Sequence, residues 1–363
     1  VRPAVFLPAL AAAAALMLAL AAAAAARPAE PHYLPQPPDR LSLCGQPVPL
    51  EVPFVAEQLD REFNIAVHDK AQVVMWLKRA ARYFPLVERE LAARGMPEDL
   101  KYLAVAESAL LRRARSYAGA AGVWQFIPAT ARRYGLRVDR WYDDRRNVAK
   151  ATRAALDYLR DLHQEFGSWP LAMAAYNCGE RRVRRAVAEQ GVKDYYHLYL
   201  PRETMRYVYR IMAAKIILSQ PEAYGYLLAP SRLYPPRPAA RARLRLTRSL
   251  HLRRLAAATG VTVRELRDLN PELRSYWLPP GKVEVQVPPG RAQGLSRRLA
   301  QAGGSRRPPG VTSRPPAGKV VVVRKGDTLT AIAQRHGVRL GELRKANRLS
   351  GSLIRPGQKL VIP

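Results

Sequence analysis

Acidic residues are scarce in this chain: 29 Asp and Glu stand against 60 Lys and Arg, a net charge of +31 over 363 residues. Such an excess points to an anionic partner or surface. Nucleic acid is the first candidate, but the basic, aromatic-studded face that reads it is lacking. Arginine is spread along the whole chain and no nucleic-acid motif is present, which sets a nucleic-acid partner aside. Cysteine is nearly absent too. Cys44 and Cys178 allow at most one disulfide, which would tie the amino-terminal arm to the helical core, and the sequence does not say whether it forms. Cys44 also follows Leu43 and lies far past the apolar leader, which argues against lipidation.

What is present begins with that leader. Arg2 is followed by an Ala-rich apolar run over 4–26 with small residues before Arg27 and Pro28, the pattern of an export signal. The run also approaches bilayer thickness, so cleavage and retention as a membrane anchor both stay open. Either way the remainder is expected outside the cytoplasm, in the periplasm or envelope. A Pro-rich arm follows over 27–53, and from about Phe54 the pattern turns helical, with segments at 71–84, 99–110, 128–134, 149–166, 169–178 and 203–218. An all-α domain is expected over 54–229.

Two Pro/Arg-rich stretches, 230–243 and 291–318, separate shorter segments that repeat one another. Leu255, Gly260, Val261, Glu265, Leu266 and Asn270 recur as Ile332, Gly337, Val338, Glu342, Leu343 and Asn347 at a constant offset, and each copy closes with Pro-Gly and a β-rich run. In the second copy, 319–363, a β-branched run, a Gly326-Asp327-Thr328 turn capping a helix, and a closing strand predict a small β-α-α-β unit. This segment resembles the LysM module, which implies an anchor on an N-acetylglucosamine-containing glycan through Gly326, Asp327, Thr328 and Asn347. The first copy, 244–290, lacks the Gly-Asp-Thr-Leu entry and is read as a degenerate LysM-like module, as well suited to packing as to binding.

Within the helical domain, Pro97, Glu98 and Asp99 open a helix whose apolar stripe, counted from Leu100, holds Leu103, Ala104, Glu107 and Leu111. A carboxylate there faces the core or a cleft in it. Burial raises its pKa, as a proton donor to a glycosidic oxygen requires. A buried ion pair with Arg112 or Arg113 is the plainer reading of Glu107 alone. The following Ser116, the Gly119 to Gly122 turn, Trp124 and Gln125 supply hydroxyl, aromatic and amide groups suited to sugars, and Tyr176-Asn177-Cys178-Gly179 forms a similar cluster.

These blocks together resemble the lysozyme-like lytic transglycosylases, most closely the membrane-bound lytic murein transglycosylase D type, from about Phe63 to Leu218 plus the tail. The resemblance implies a multidomain protein: an all-α lysozyme-like catalytic domain followed by small β-α-α-β LysM modules. It makes Glu107 the single catalytic acid and base, Tyr176 its hydrogen-bond partner, and Ser116, Gln125 and Asn177 substrate contacts. The segments around Trp141, Leu200 and Tyr207 fit as well, whereas Cys178 departs from the small residue usual after Asn177. Peptidoglycan strands are the implied substrate, cut to 1,6-anhydro ends with no metal or cofactor and with no partner protein to be read. Asp143 and Asp144 could serve as a second carboxylate, but their flanking arginines suggest structural ion pairs. Goose-type-lysozyme hydrolysis and a non-catalytic wall-binding protein are the alternatives.

Overall fold

The computed structural model describes residues 34–301, 320–324, 326–347, 349 and 351–362. The apolar leader, the start of the Pro-rich arm and most of the 291–318 stretch lie outside the described residues. The chain forms two compact units, 1–300 and 301–363.

Among the described residues of the first unit, a small hairpin, β1 (Ser42–Leu43) with β2 (Gln46–Pro47), precedes a helical domain of eight α-helices. These are α1 (Pro53–His68), α2 (Lys70–Ala92), α3 (Lys101–Ser108), α4 (Pro128–Arg133), α5 (Val148–Phe166), α6 (Trp169–Cys178), α7 (Glu180–Gln190) and α8 (Arg202–Ser219). Spacing dictates the faces: α1 buries Val55, Leu59, Phe63 and Val67 along α8. The centre is α6, whose Leu171 to Ala175 are fully buried against α5, α7 and α8. Its small side chains let those neighbours close in around it. Asn147 caps α5 by accepting from the Lys150 amide, and Gly167 ends it in a left-handed turn.

Two helices depart from their sequence patterns. α2 does not stop at Phe84 but runs through Pro85 to Ala92, because Val87 and Leu91 keep burying the same face and offset the missing proline donor. α3 is shorter than its apolar stripe: it ends at Ser108, and Leu111 points outward, 45% exposed.

Both repeats adopt one design. In the first, β3 (Ala240–Leu246) pairs antiparallel with β6 (Gly281–Val287) around α9 (Leu252–Thr259) and α10 (Val263–Leu269). β3 begins inside the stretch read as a linker. A short pair, β4 (Leu250–His251) with β5 (Trp277–Leu278), and α11 (Leu295–Gln301) complete it. Its core is not self-contained, since Tyr142 from the helical domain is buried among Leu252, Leu266 and Leu273. In the second unit, β7 (Val320–Val322) pairs with β8 (Lys359–Val361) around α12 (Leu329–Arg335) and α13 (Leu340–Ala346), over a core of Val323, Ile332, Leu343 and Leu360.

Candidate active site

Glu107 is the last residue but one of α3, and the chain leaves that helix abruptly. Ala109 and Leu110 both take left-handed backbone angles, φ 51° and 60°, and Gln125 joins them at φ 46°. Such conformations are costly for side chains with a Cβ and persist only where surroundings enforce them. Here Ser108 Oγ donates to the Val123 carbonyl at 2.8 Å, and Arg79 donates to the Ala109 carbonyl at 3.0 Å. The loop then closes on itself: the Ser116 amide donates to the Ala120 carbonyl and the Ala120 amide to Ser116 Oγ, both at 3.0 Å. Gly122, at φ 84°, lies so close to the Arg145 backbone that a Cβ would come within 1.8 Å of the Arg145 carbonyl oxygen. Only glycine fits there.

The result is a cleft of about 930 Å³ whose walls include Glu107, Ser116, Gln125, Tyr176, Asn177 and Cys178. All five sequence-derived site residues of the helical domain therefore meet in one place. Their bonding differs from the sequence reading at one point. The hydroxyl that reaches Glu107 belongs to Tyr207 of α8, which donates to Oε1 at 2.5 Å. Tyr176 instead donates to the Trp124 carbonyl at 2.7 Å and packs edge-on to Phe126. The sequence could not separate the two tyrosines, because each lies on a buried helix face where a phenol needs an acceptor. Burial holds both phenols well above their ordinary pKa, so both remain donors.

Among the described residues, Glu107 has no arginine partner. Arg112 and Arg113, the candidates for an ion pair, turn to Asp268 instead. Burial pushes the Glu107 carboxyl up to about 7, against the bond from Tyr207, which lowers it, and with help from the neighbouring charge of Glu203. Trp124 is also not the sugar platform its position suggested: it is fully buried, with its indole N–H donating to Thr152 Oγ1 at 2.9 Å. Asn177 Oδ1 accepts from Thr204 at 2.8 Å, and Gln125 Nε2 donates to the Gly122 carbonyl at 2.7 Å. Cys44 and Cys178 are both free thiols.

Asp143 and Asp144 are buried and paired, the first with Arg145 at 2.7 Å, the second with Arg137 at 3.0 Å and Lys150 at 2.9 Å. Neither lines the cleft. A carboxylate the sequence reading passed over, Glu180, does line it. Burial alone would raise its pKa, but hydrogen bonds from its own amide, Arg133 and Tyr158 outweigh that and hold it below the usual range. Exposed Arg181, Arg182 and Arg185 on α7 form a basic rim beside it.

In the second unit, Asp327 accepts from the Arg324 amide and from Arg335, and Thr328 Oγ1 caps α12 by accepting from the Ala331 amide. Asn347 is fully engaged: its amide donates to the Leu343 and Val361 carbonyls, and its oxygen accepts from the Val361 amide. Asn270 makes the matching bonds to Leu266 and Gln286 in the first repeat. The repeated Asn is thus a latch between helix and closing strand, and its recurrence follows from folding.

Residues 85–199 match the family model described as Transglycosylase SLT domain, 241–303 that described as Lytic transglycosylase MltD, LysM-like domain, and 321–363 that of the LysM domain. The chain is 36% identical over 292 residues to membrane-bound lytic murein transglycosylase D of Escherichia coli strain K12; the match spans 78% of this chain and 64% of that protein. It is 39% identical over 104 residues to the peptidoglycan transglycosylase gp16 of Escherichia phage T7, covering 28% of this chain and 8% of that one. Among solved structures, the 70 kDa soluble lytic transglycosylase of Escherichia coli matches with a TM-score of 0.34 at 21% identity, over 46% of this chain and 30% of that one.

Proposed function

We propose that the chain is a peptidoglycan lytic transglycosylase with Glu107 as its one acid and base, a reading supported by the match of residues 85–199 to the Transglycosylase SLT domain model. The observation that carries this reading is the Glu107 carboxyl, enclosed at the cleft, pushed up to about 7, and bonded by a neutral Tyr207 hydroxyl instead of a cation. Such a group holds a proton at neutral pH and can also take one back.

In the reaction, Glu107 protonates the oxygen joining N-acetylmuramic acid to N-acetylglucosamine as the bond from that oxygen to the muramyl C1 breaks. The muramyl acetamido group assists at C1. The 6-hydroxyl then attacks C1 and passes its proton to Glu107, which restores the acid and closes the 1,6-anhydro ring. Holding the 6-hydroxyl in place replaces a second reactant, an advantage worth several kcal/mol in well-oriented systems. Tyr207 orients the carboxyl, and Tyr176 braces the Trp124 carbonyl behind it. Ser116, Gln125 and Asn177 line the cleft where sugar hydroxyl and acetamido groups would lie. The paired state of Asp143, Asp144 and Glu180 favours this one-carboxylate route over two-carboxylate hydrolysis.

The same reading takes residues 1–26 as an export signal, 54–229 as the catalytic domain in the periplasm or envelope, and 319–363 as a LysM anchor on peptidoglycan. In that anchor Gly326, Asp327 and Thr328 shape the turn presented to the glycan, and Asn347 holds the strand behind it. Muropeptide analysis of digested sacculi tests the proposal. Anhydro-ended products from the wild type, absent with Glu107→Gln, are expected; products with reducing ends alone would establish hydrolysis instead.

A further inference from the structure

The loop between α3 and α4 carries Ser116 and Gln125, and it is gripped from both flanks by the first repeat. On one flank, Asp268 at the end of α10 takes Arg112 on its carbonyl and, at 2.9 Å, on its carboxylate, while Arg113 reaches the same carboxylate oxygen at 3.3 Å. On the other, the Asp143 amide donates to the Glu272 carbonyl at 2.8 Å, Tyr142 forms a β-bridge with Leu273, and Asn147 donates to the Glu272 carboxylate at 2.9 Å. Asp143 in turn holds Arg145 by two bonds, 2.7 and 3.0 Å. Arg145 then donates to the Gly119 carbonyl at 2.8 Å and to the Phe126 carbonyl at 2.9 Å, one in the middle of the loop and one at its end.

The Arg112–Asp268 and Arg145–Asp143 bonds are charge-assisted, and the second pair is buried. Asp143, Arg145 and Glu272 are each less than a tenth exposed. The loop they hold is the segment with left-handed Ala109, Leu110 and Gln125, conformations that need outside support. Tyr142 completes the repeat's own core, so the repeat and the loop's supports are one packed body.

We propose that the LysM-like repeat, residues 240–300, serves the reaction as a positioning body for the cleft loop, with Asp268 and Arg145 as positioning residues that act through Arg112, Gly119 and Phe126 on Glu107's surroundings. The inference rests on the reading of the cleft as the active site.

The test compares full-length wild type, Asp268→Ala and Asp268→Glu on sacculi, with kcat, KM, pH profile, thermal melting and co-sedimentation measured for each. Asp268→Ala is expected to lower kcat by about ten- to a hundredfold with KM little changed, the scale a small misplacement of reacting groups produces. A loosened loop also admits water to Glu107, so the basic limb of the profile moves to lower pH, and Asp268→Glu recovers part of both effects. A folded Asp268→Ala with wild-type kcat and pH limb overturns the proposal, as does one that loses only co-sedimentation, which would make the repeat a glycan anchor. If Asp268→Ala does not fold, the double variant Arg112→Ala, Arg113→Ala removes the grip from the loop side and must show the same signature. An inactive wild type instead overturns the reading of the cleft itself.

Discussion

Tyr207 and Glu107 lie one hundred positions apart and share a hydrogen bond of 2.5 Å, which orients the cleft's acid and opposes the effect of burial on its charge. Because the phenol donates to the carboxylate, it favours the ionised form and works against burial. Tyr207→Phe is therefore expected to raise the Glu107 pKa and to move the basic limb of the pH profile upward, while the loss of orientation lowers kcat about tenfold or more. Tyr176→Phe leaves the Trp124 carbonyl without its donor and should act mainly on stability, by about 1–3 kcal/mol. Profiles measured side by side decide the assignment. A limb that moves in Tyr176→Phe and stays in Tyr207→Phe would return the role to Tyr176.

Burial of Glu107 also has a cost in stability with a definite sign. Its carboxyl is raised from 4.5 to about 7 in the folded chain, so the folded state holds a proton that the unfolded state has lost between those values. Stability consequently falls as pH rises through that window. Glu107→Gln removes the effect. The variant should be more stable than the wild type at and above neutral pH, by at most about 3 kcal/mol, and the gap should close below the unfolded pKa. Melting temperatures of the two proteins across pH 4 to 8 measure it; a gap independent of pH would mean that Glu107 is not the buried proton holder.

Much of this organisation is legible in the sequence. Apolar spacing predicts the helical domain, and a β-branched run, a capped turn and a closing strand predict the β-α-α-β unit of the second copy, because these patterns are local. Glu107, Ser116, Gln125, Tyr176 and Asn177 were found by motif and do meet at one cleft. What escaped was long-range pairing. Tyr207 and Tyr176 each lie on a buried helix face, so periodicity predicts that each needs an acceptor but not which one. Arg112 and Arg113 looked like partners for Glu107 because they are near in sequence; the chain's left-handed exit at Ala109 and Leu110 turns them towards Asp268. Trp124 looked like a sugar platform because aromatic composition does not record burial. Asn347 looked like a ligand contact because recurrence marks folding latches as well as binding groups.

Gly122 tests the loop geometry most directly. A methyl group there would meet the Arg145 carbonyl oxygen at 1.8 Å, and the residue's φ of 84° is itself unfavourable for alanine. Gly122→Ala should therefore push the loop off Arg145, disturbing Gln125, whose amide donates to the Gly122 carbonyl. A loss of more than about 1 kcal/mol in stability is expected, together with a fall in kcat larger than that change in folded population explains. Alanine tolerated with full activity would show that the loop has a second arrangement competent for the reaction.

On the proposed function, the basic rim beside the cleft faces the peptidoglycan strand and its charge can be tested. Arg181, Arg182 and Arg185 are exposed along α7 beside the cleft, whereas Arg145 and Arg137 are paired with the buried Asp143 and Asp144. On peptidoglycan the nearby anionic groups are the carboxylates of the peptide stems, so the rim should add a long-range, screened attraction instead of chemistry. Replacing all three with Gln is expected to raise KM several-fold at low ionic strength with kcat nearly unchanged, and the difference should vanish near 1 M salt, where screening acts within about 3 Å. Steady-state rates at low and high salt, on strands with and without peptide stems, carry the measurement. A KM increase that persists at high salt, or appears equally on bare glycan, would mean that these arginines make direct contacts with the sugars.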